Sequence, residues 1–306
     1  MMTERYKKFS AYLKERFGQR VHKVSVDAGF SCPNRDGTIS DRGCIYCDNK
    51  AFSFHSRSGK PTAIQIQIAE GIKQAKKRFK AQKFFVYFQA YTNTYAPTST
   101  LKERYDLIRR FEDVVGLSIA TRPDCINEKI LGMVSSYTDD YEVWIEYGLQ
   151  SVHNKTLAAI NRGHRYEDFL KAVELTRRYN IKICAHVILG LPNETKAMML
   201  ETAEEMARLK IDGIKLHPLH IIKQTALEEV YRRGEYKPLI LDEYIELAAE
   251  FLAHLWPQTV IERISAYCPK ELLVAPQWVS GRNSVEKQLG EMLVKKDYFQ
   301  GRFYRG

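Results

Sequence analysis

Residues 32–47 read CPNRDGTISDRGCIYC, and they directly follow a candidate strand, Val21–Phe30. Glycine, proline, asparagine and aspartate are frequent in this stretch, which is typical of a loop. It holds Cys32, Cys44 and Cys47, three of the six cysteines in the chain. Three thiolates on one loop can bind three corners of a cubane iron–sulfur cluster and leave the fourth iron open to a small molecule. The stretch therefore predicts a metal centre that takes part in chemistry.

A structural zinc site is the main alternative for these cysteines. Such a site has four protein ligands, often as two Cys-x-x-Cys pairs. Only one such pair occurs here, and His55 is the candidate fourth ligand. The other cysteines, Cys125, Cys184 and Cys268, are scattered along the chain, so we interpret them as ordinary thiols of a reducing compartment.

Outward from this loop, strands and helices alternate. The candidate strands are Val21–Phe30, Phe84–Tyr91, Val114–Thr121, Glu142–Leu149, Lys182–Leu189 and Gly213–Leu219. Helical patterns cover 3–18, 62–82 (with Thr62 as its cap), 99–112, 126–136, 153–179 and 195–209. Alternation of this kind predicts an α/β fold with a parallel sheet. Because six units fall short of the eight in a closed barrel, we expect a partial (β/α)6 TIM-like barrel, with its site at the carboxyl ends of the strands.

The rhythm changes after about residue 225. A helix near 241–256, a strand near 259–266 and a basic, aromatic tail follow. We therefore expect a core over 1–225, which includes the N-terminal helix, and a C-terminal extension over 226–306.

The formal net charge is +10, which favours a polyanionic partner such as nucleic acid. The cations concentrate at the two ends of the chain, and aromatic residues interleave with those of the tail. They are Arg5, Lys7, Lys8, Lys14, Arg16, Arg20 and Lys23, and then Arg282, Lys287, Lys295, Lys296, Arg302 and Arg305 among Tyr298, Phe299, Phe303 and Tyr304. This pattern favours RNA binding by the extension. Solvated faces of end helices are the alternative.

Membrane insertion is not expected from this sequence. No apolar run approaches the roughly 20 residues that span a bilayer, and the charged N-terminus does not resemble a signal peptide. We expect a cytoplasmic protein without a membrane partner.

Six phrases along the chain carry a family resemblance. They are CPNRDG at 32–37, YTNTY at 91–95, ATRPD at 120–124, EYGLQS at 146–151, NRGH at 161–164 and LGLPNET at 189–195. Together with the cysteine spacing they resemble the radical S-adenosylmethionine (SAM) superfamily, in the branch of the Elongator catalytic subunit. The nearest resemblance is to the YhcC/YtqA group, also called MnmL-type proteins. The phrases from 120 onward also resemble haem-synthesis radical SAM enzymes.

The resemblance implies a [4Fe-4S] cluster on Cys32, Cys44 and Cys47, with SAM on its open iron. It places Tyr46 beside the cluster and suggests Gln89 and Tyr91 as contacts of the SAM amino group. It implies Gln150 and suggests His186 for the SAM ribose. It implies Arg162 for the SAM carboxylate and Gly190 for the adenine. Gln89 and Tyr91 stand where relatives have Gly-Gly-Glu. A packing role is the alternative for both, a surface salt bridge for Arg162 and a core position for His186.

Three further polar residues near strand ends are candidates for holding an acidic group of a substrate: Arg122, Lys215 and His217. Their side chains suit a carboxylate or phosphate. A structural role is the alternative for each of them.

The MnmL-type resemblance implies action on the wobble uridine of tRNA, where a 5-carboxymethylaminomethyl group would become 5-aminomethyl. It implies a hydrogen abstraction by a SAM-derived radical at the glycine-like methylene, followed by carbon–nitrogen cleavage. The partners would be tRNA, a flavodoxin or ferredoxin-type electron donor and a downstream tRNA methyltransferase. The alternatives are a radical SAM enzyme for a small molecule such as a tetrapyrrole, and a non-catalytic metal-bearing RNA-binding protein.

Overall fold

The computed structural model describes residues 4–53, 56–57, 62–281 and 285–306. Its strands are β1 (Val21–Val26), β2 (Lys83–Phe88), β3 (Val114–Thr121), β4 (Glu142–Gln150), β5 (Lys182–Leu189), β6 (Gly213–Pro218), β7 (Ile221–Ile222), β8 (Val260–Arg263) and β9 (Leu273–Ala275). Seven of them form one parallel sheet in the order β1-β2-β3-β4-β5-β6-β8. β7 and β9 form a separate antiparallel pair. The partial barrel expected from the sequence is confirmed, with a seventh strand from the C-terminal part of the chain.

Helices cover the outside of this sheet. They are α1 (Phe9–Phe17), α2 (Asn49–Phe52), α3 (Ile64–Phe79), α4 (Thr98–Tyr105), α5 (Glu128–Ser135), α6 (Asn154–Ala159), α7 (Tyr166–Thr176), α8 (Lys196–Arg208), α9 (Ala226–Arg232), α10 (Leu241–His254) and α11 (Val285–Lys295). Short 3-10 helices lie at Asp106–Arg110, Pro123–Cys125 and Gln277–Ser280. The inner strands β2 and β4 are buried on both faces, as is usual for parallel sheets. None of the helices in the described ranges is long and apolar enough to cross a membrane.

The N-terminal helix α1 closes one end of the barrel. Its Phe9 and Leu13 are buried against Trp144 of β4 and Val260 of β8. The preceding residue, Lys8, pairs with β8 as an isolated parallel bridge. Because α1 packs at the end where the strands begin, the cavity of the barrel opens at their carboxyl ends.

The C-terminal tail lies at the same closed end as α1. Gln300 donates to the carbonyl of Thr259 at 2.7 Å, just before β8 begins, and accepts from the backbone N–H of Lys7 at 2.9 Å. Two cations of the tail are in ion pairs, Lys296 with Glu246 and Arg302 with Asp297. The basic tail is therefore built into the end of the barrel opposite the cavity.

Two helix predictions were wrong in detail. The pattern over 153–179 forms α6 and α7, because Asn161 and Gly163 adopt positive φ values and turn the chain inward between them. α3 begins after Ala63 rather than at a Thr62 cap, and the Thr62 carbonyl instead accepts from the Gln67 side chain at 2.7 Å. Two residues named in the sequence arguments, His55 and Arg282, lie outside the described residues.

Candidate active site

The cysteine loop lies at the mouth of a cavity of about 630 Å³ at the carboxyl ends of the strands. Cys32, Cys44 and Cys47 all line it, and all three are free thiols. The Cys47 backbone N–H donates to the Cys44 carbonyl at 3.0 Å, which closes a tight turn. Two further backbone bonds converge on the Cys32 carbonyl, from Arg35 at 2.8 Å and Asp36 at 3.1 Å. The loop thus presents three thiols to one space.

The surroundings of these thiols fit an iron–sulfur cluster. Asn34 Nδ2 and Arg162 Nη1 each donate to Cys44 Sγ at 3.5 Å, and Asn49 Nδ2 lies 3.9 Å from Cys47 Sγ. Donors to sulfur and a nearby cation stabilise a negatively charged thiolate cluster. Burial, followed by the charge of Cys44, raises the pKa of the Cys47 thiol to about 12, so ionisation of this thiol calls for a metal ligand.

Arg162 is the buried cation of the site. Its Nη2 and Nε donate to the Gly148 carbonyl at 2.7 and 3.2 Å, while its own carbonyl accepts from Arg122 at 2.9 Å. A Cβ at Gly148 would lie 2.7 Å from Arg162 Nη2, so a side chain there would displace the guanidinium from this position. Although burial opposes its charge, the neighbouring Cys44 and Tyr46 raise the pKa of Arg162. The guanidinium is held rigidly beside the cysteines.

The other predicted SAM contacts lie around the same cavity. Tyr46, Gln89, Tyr91, Gln150 and His186 all line it. Gln150 ends β4 with a positive φ of 78°, at a register shift toward β5, and Tyr91 follows β2 with a φ of 61°. Tyr91 is 37% exposed and lies at the rim rather than in the interior.

Gly190 does not line the cavity. Its φ is 84°, and an added Cβ would lie 3.0 Å from Leu239. Its carbonyl accepts from the Tyr236 hydroxyl at 2.6 Å, and its N–H lies 3.1 Å from Met199 Sδ. The structure therefore places Gly190 in the packing between β5 and the C-terminal part of the chain.

An interior ion network lies next to the cavity, which its member Glu146 lines. We use this name for Lys23, Glu146, Lys215 and Glu262, which come from β1, β4, β6 and β8. Glu146 binds Lys23 Nζ at 2.7 Å and also binds Lys215, and Lys215 Nζ lies 3.6 Å from Glu262 and 4.1 Å from the centre of the Tyr87 ring. Although burial opposes ionisation, Lys215 and then Lys23 hold the pKa of Glu146 well below its usual range.

Two histidines lie beside this network. His186 Nε2 is 2.8 Å from Glu146 Oε2, and the ring centroids of His186 and His217 are 5.8 Å apart. Burial lowers the pKa of both, and the Arg263 charge adds to the effect on His217. Both imidazoles are therefore neutral near pH 7. The group Glu146, Cys184 and His186 has ligand atoms within 4.8 Å of one another, but the two ammonium groups at Glu146 disfavour a metal ion there.

The three candidates for an acidic substrate group differ in their availability. Arg122 is buried and binds both carboxylate oxygens of Asp124. Lys215 is also buried and binds Glu146. His217 faces the cavity. Sequence reasoning missed the partners, Lys23, Glu146 and Glu262. The available signal was a glutamate within the apolar run of β4.

Comparisons with known proteins agree with this geometry. Residues 36–206 match the Radical SAM superfamily, and residues 211–293 match the Radical_SAM C-terminal domain. The chain is 39% identical to the protein YhcC of Escherichia coli, over 90% of this chain and 87% of that one. It is 35% identical to YtqA of Bacillus subtilis, over 99% and 94%.

More distant relatives define the branch. A tRNA uridine(34) acetyltransferase of Methanocaldococcus jannaschii is 32% identical over 59% of this chain and 32% of its own length. The solved structure of an archaeal Elp3 from Methanocaldococcus infernus, with an N-terminal deletion, superposes on this chain with a TM-score of 0.69. The superposition covers 92% of this chain and 64% of that one at 21% sequence identity, which shows a shared fold. The cofactors that the resemblance implied, a [4Fe-4S] cluster and SAM, are confirmed for this family. The chain belongs to the radical SAM superfamily and is a radical SAM enzyme of the Elongator-like branch.

Proposed function

We propose that this enzyme acts on tRNA and converts the 5-carboxymethylaminomethyl group of the wobble uridine to 5-aminomethyl. The charge of the cavity carries this proposal. Five arginines line it, Arg35, Arg57, Arg122, Arg162 and Arg263, whereas Glu146 is the one acidic residue among the described lining residues. Arg122 is paired with Asp124, and Arg162 lies beside the cysteines. The remaining arginines still favour a second ligand that is anionic, because SAM itself carries a net positive charge and does not neutralise them. An RNA nucleotide with a carboxylate on its base has that character.

The relatives support the choice of tRNA. The acetyltransferase relative acts, by its name, on uridine 34 of tRNA, which is the wobble position. Cytoplasmic location, an electron donor of the flavodoxin or ferredoxin type and a downstream methyltransferase are parts of the same proposal. A tetrapyrrole is the competing substrate, because it is also a polyanion.

In this proposal Cys32, Cys44 and Cys47 hold the cluster, which supplies the electron that splits SAM. Arg162 binds the SAM carboxylate, with its guanidinium already fixed by the Gly148 carbonyl. Gln150 contacts the ribose, because its amide both donates and accepts. Tyr46, Gln89 and Tyr91 complete the binding site, and His186, held by Glu146, faces the ribose side. These side chains orient SAM and exclude water.

The overall conversion balances in atoms and electrons. The substituent's carbon–nitrogen bond breaks, water supplies the oxygen of a two-carbon aldehyde acid, and the amine stays on the uridine. The substrate loses two electrons, one with the hydrogen atom that passes to 5′-deoxyadenosine and one that replaces the electron used to split SAM. SAM is thereby reduced by two electrons overall, to methionine and 5′-deoxyadenosine.

Mass spectrometry of tRNA nucleosides tests this function. Cells that lack the gene should accumulate 5-carboxymethylaminomethyluridine and lose 5-aminomethyluridine and its methylated product. The native gene should restore them, whereas the Cys44→Ala variant should not. An unchanged nucleoside profile in the deletion strain would reject the proposal.

A further inference from the structure

We propose that the segment Arg263–Tyr267, which ends β8 and forms one side of the cavity mouth, is the substrate-reading element, in which Tyr267 stacks on the wobble base and Arg263 binds the carboxylate of its substituent. This inference rests on the proposed function and assigns the recognition of its substrate to named residues.

Tyr267 is held outward by its neighbours. The Ile264 carbonyl accepts from the buried Tyr244 hydroxyl at 2.7 Å, and Cys268 is fully buried against Ala51 and Leu273. Between these two anchors Ser265, Ala266 and Tyr267 line the cavity, and Tyr267 is 59% exposed. A large, mostly exposed aromatic ring at a cavity mouth, on a backbone anchored at both sides, is suited to stack on an unpaired base.

Arg263 is placed to meet the substituent of that base. It lines the cavity beside His217, whose pKa its charge helps to lower. Ile214 pairs with Ile261 and Lys215 pairs with Arg263, so a register shift leaves Glu262 unpaired in the ladder between them. The Glu262 side chain belongs to the interior ion network, where it binds Lys23. Within the described part of the chain, Arg263 has no carboxylate partner. Among Arg122, Lys215 and Arg263 it is therefore the cation available to a substrate carboxylate, which a guanidinium binds through two hydrogen bonds.

The basic tail offers a less suitable reading element. Its Lys296 and Arg302 are paired with acidic residues, and Gln300 fixes it to the closed end of the barrel. A base bound at that end cannot reach the cavity. Phe299, which is 46% exposed in the tail, is thus a matched control for Tyr267.

The test measures binding of anticodon stem–loop RNAs to cluster-loaded protein, with 5′-deoxyadenosine and methionine in place of SAM to prevent turnover. One RNA carries 5-carboxymethylaminomethyluridine at the wobble position and the other carries 5-aminomethyluridine. Iron content and circular dichroism verify that each variant is folded. We expect the wild-type protein to prefer the carboxylate-bearing RNA.

Tyr267→Ala should weaken binding of both RNAs by about tenfold, whereas Tyr267→Phe and Phe299→Ala should keep wild-type affinity. Arg263→Gln should lower the preference for the carboxylate-bearing RNA by about tenfold, and Arg263→Lys should retain part of it. A full preference in Arg263→Gln, or wild-type affinity in Tyr267→Ala, overturns the inference and leaves the proposed function standing. A wild-type protein that binds neither RNA, or prefers neither, overturns both. If Phe299→Ala weakens RNA binding and Tyr267→Ala does not, the tail recognises the RNA, and the inference is overturned.

Discussion

Replacing Glu146 by glutamine tests whether the interior ion network holds the barrel together. Glu146 accepts from Lys23 at 2.7 Å, from His186 at 2.8 Å and from Lys215, and it is fully buried. Glutamine keeps the volume, but it removes the charge and turns an N–H₂ group toward an ammonium. If two of the three charge-assisted bonds are lost, at about 1.5–3 kcal/mol each, the free energy of unfolding should fall by about 3–6 kcal/mol, a range that includes the loss seen for other broken buried ion pairs.

Urea unfolding followed by tryptophan fluorescence measures this change, since Trp144 lies on the same strand as Glu146. The control is Glu174→Gln, which removes an exposed pair with Arg178 and should leave the midpoint unchanged. The double variant Glu146→Gln/Lys215→Met should recover part of the loss, because it leaves no ammonium without its carboxylate. A loss below about 1 kcal/mol in Glu146→Gln, the size of a surface pair, would refute the reasoning.

The remaining predictions concern the cluster, SAM and pH. Cys44→Ala should abolish iron and sulfide binding in anaerobically reconstituted protein; stoichiometric zinc without iron in the wild-type protein would contradict the cluster. Arg162→Lys should keep the iron but bind SAM more weakly in calorimetry, because a point charge replaces a fixed fork; equal affinity would reject that role. Stability should decrease as the pH falls below about 6.5, because the unfolded chain protonates histidines that are buried and neutral in the fold, such as His186 and His217. A second loss should begin below about pH 4.3, because Glu146 protonates more easily in the unfolded chain, and this second loss should be smaller in Glu146→Gln, where other carboxyl groups with lowered pKa values such as Asp124 still contribute.

Local patterns explain what the sequence could predict. The periodicity of the strands located β3 and β5 to the residue, and Thr195 caps α8 as an N-terminal signal predicts, accepting from the Met198 N–H. The cysteine spacing predicts the cluster ligands, since the chemistry of a cubane cluster resides in one short loop. These features depend on near neighbours in the chain.

Long-range pairings explain what it could not predict. Lys215 looks like a substrate-binding cation in the sequence, yet it binds Glu146, which is 69 residues away in the chain. Lys23 also binds Glu146, and these two residues are 123 positions apart. Gly190 likewise stands in a phrase shared with relatives, but Leu239 and Tyr236 of a later segment occupy the space beside it. Only the folded sheet brings such residues together.

The reaction proposed for this cavity begins with removal of a hydrogen atom from the carboxymethyl methylene of the wobble uridine. The direct measurement is a single incubation of reduced, cluster-loaded protein with SAM and tRNA that carries deuterium at that methylene, with analysis of both products by mass spectrometry. We expect 5′-deoxyadenosine that contains one deuterium, together with 5-aminomethyluridine in the tRNA. Unlabelled 5′-deoxyadenosine and an unchanged nucleoside, in protein that cleaves SAM, would contradict it.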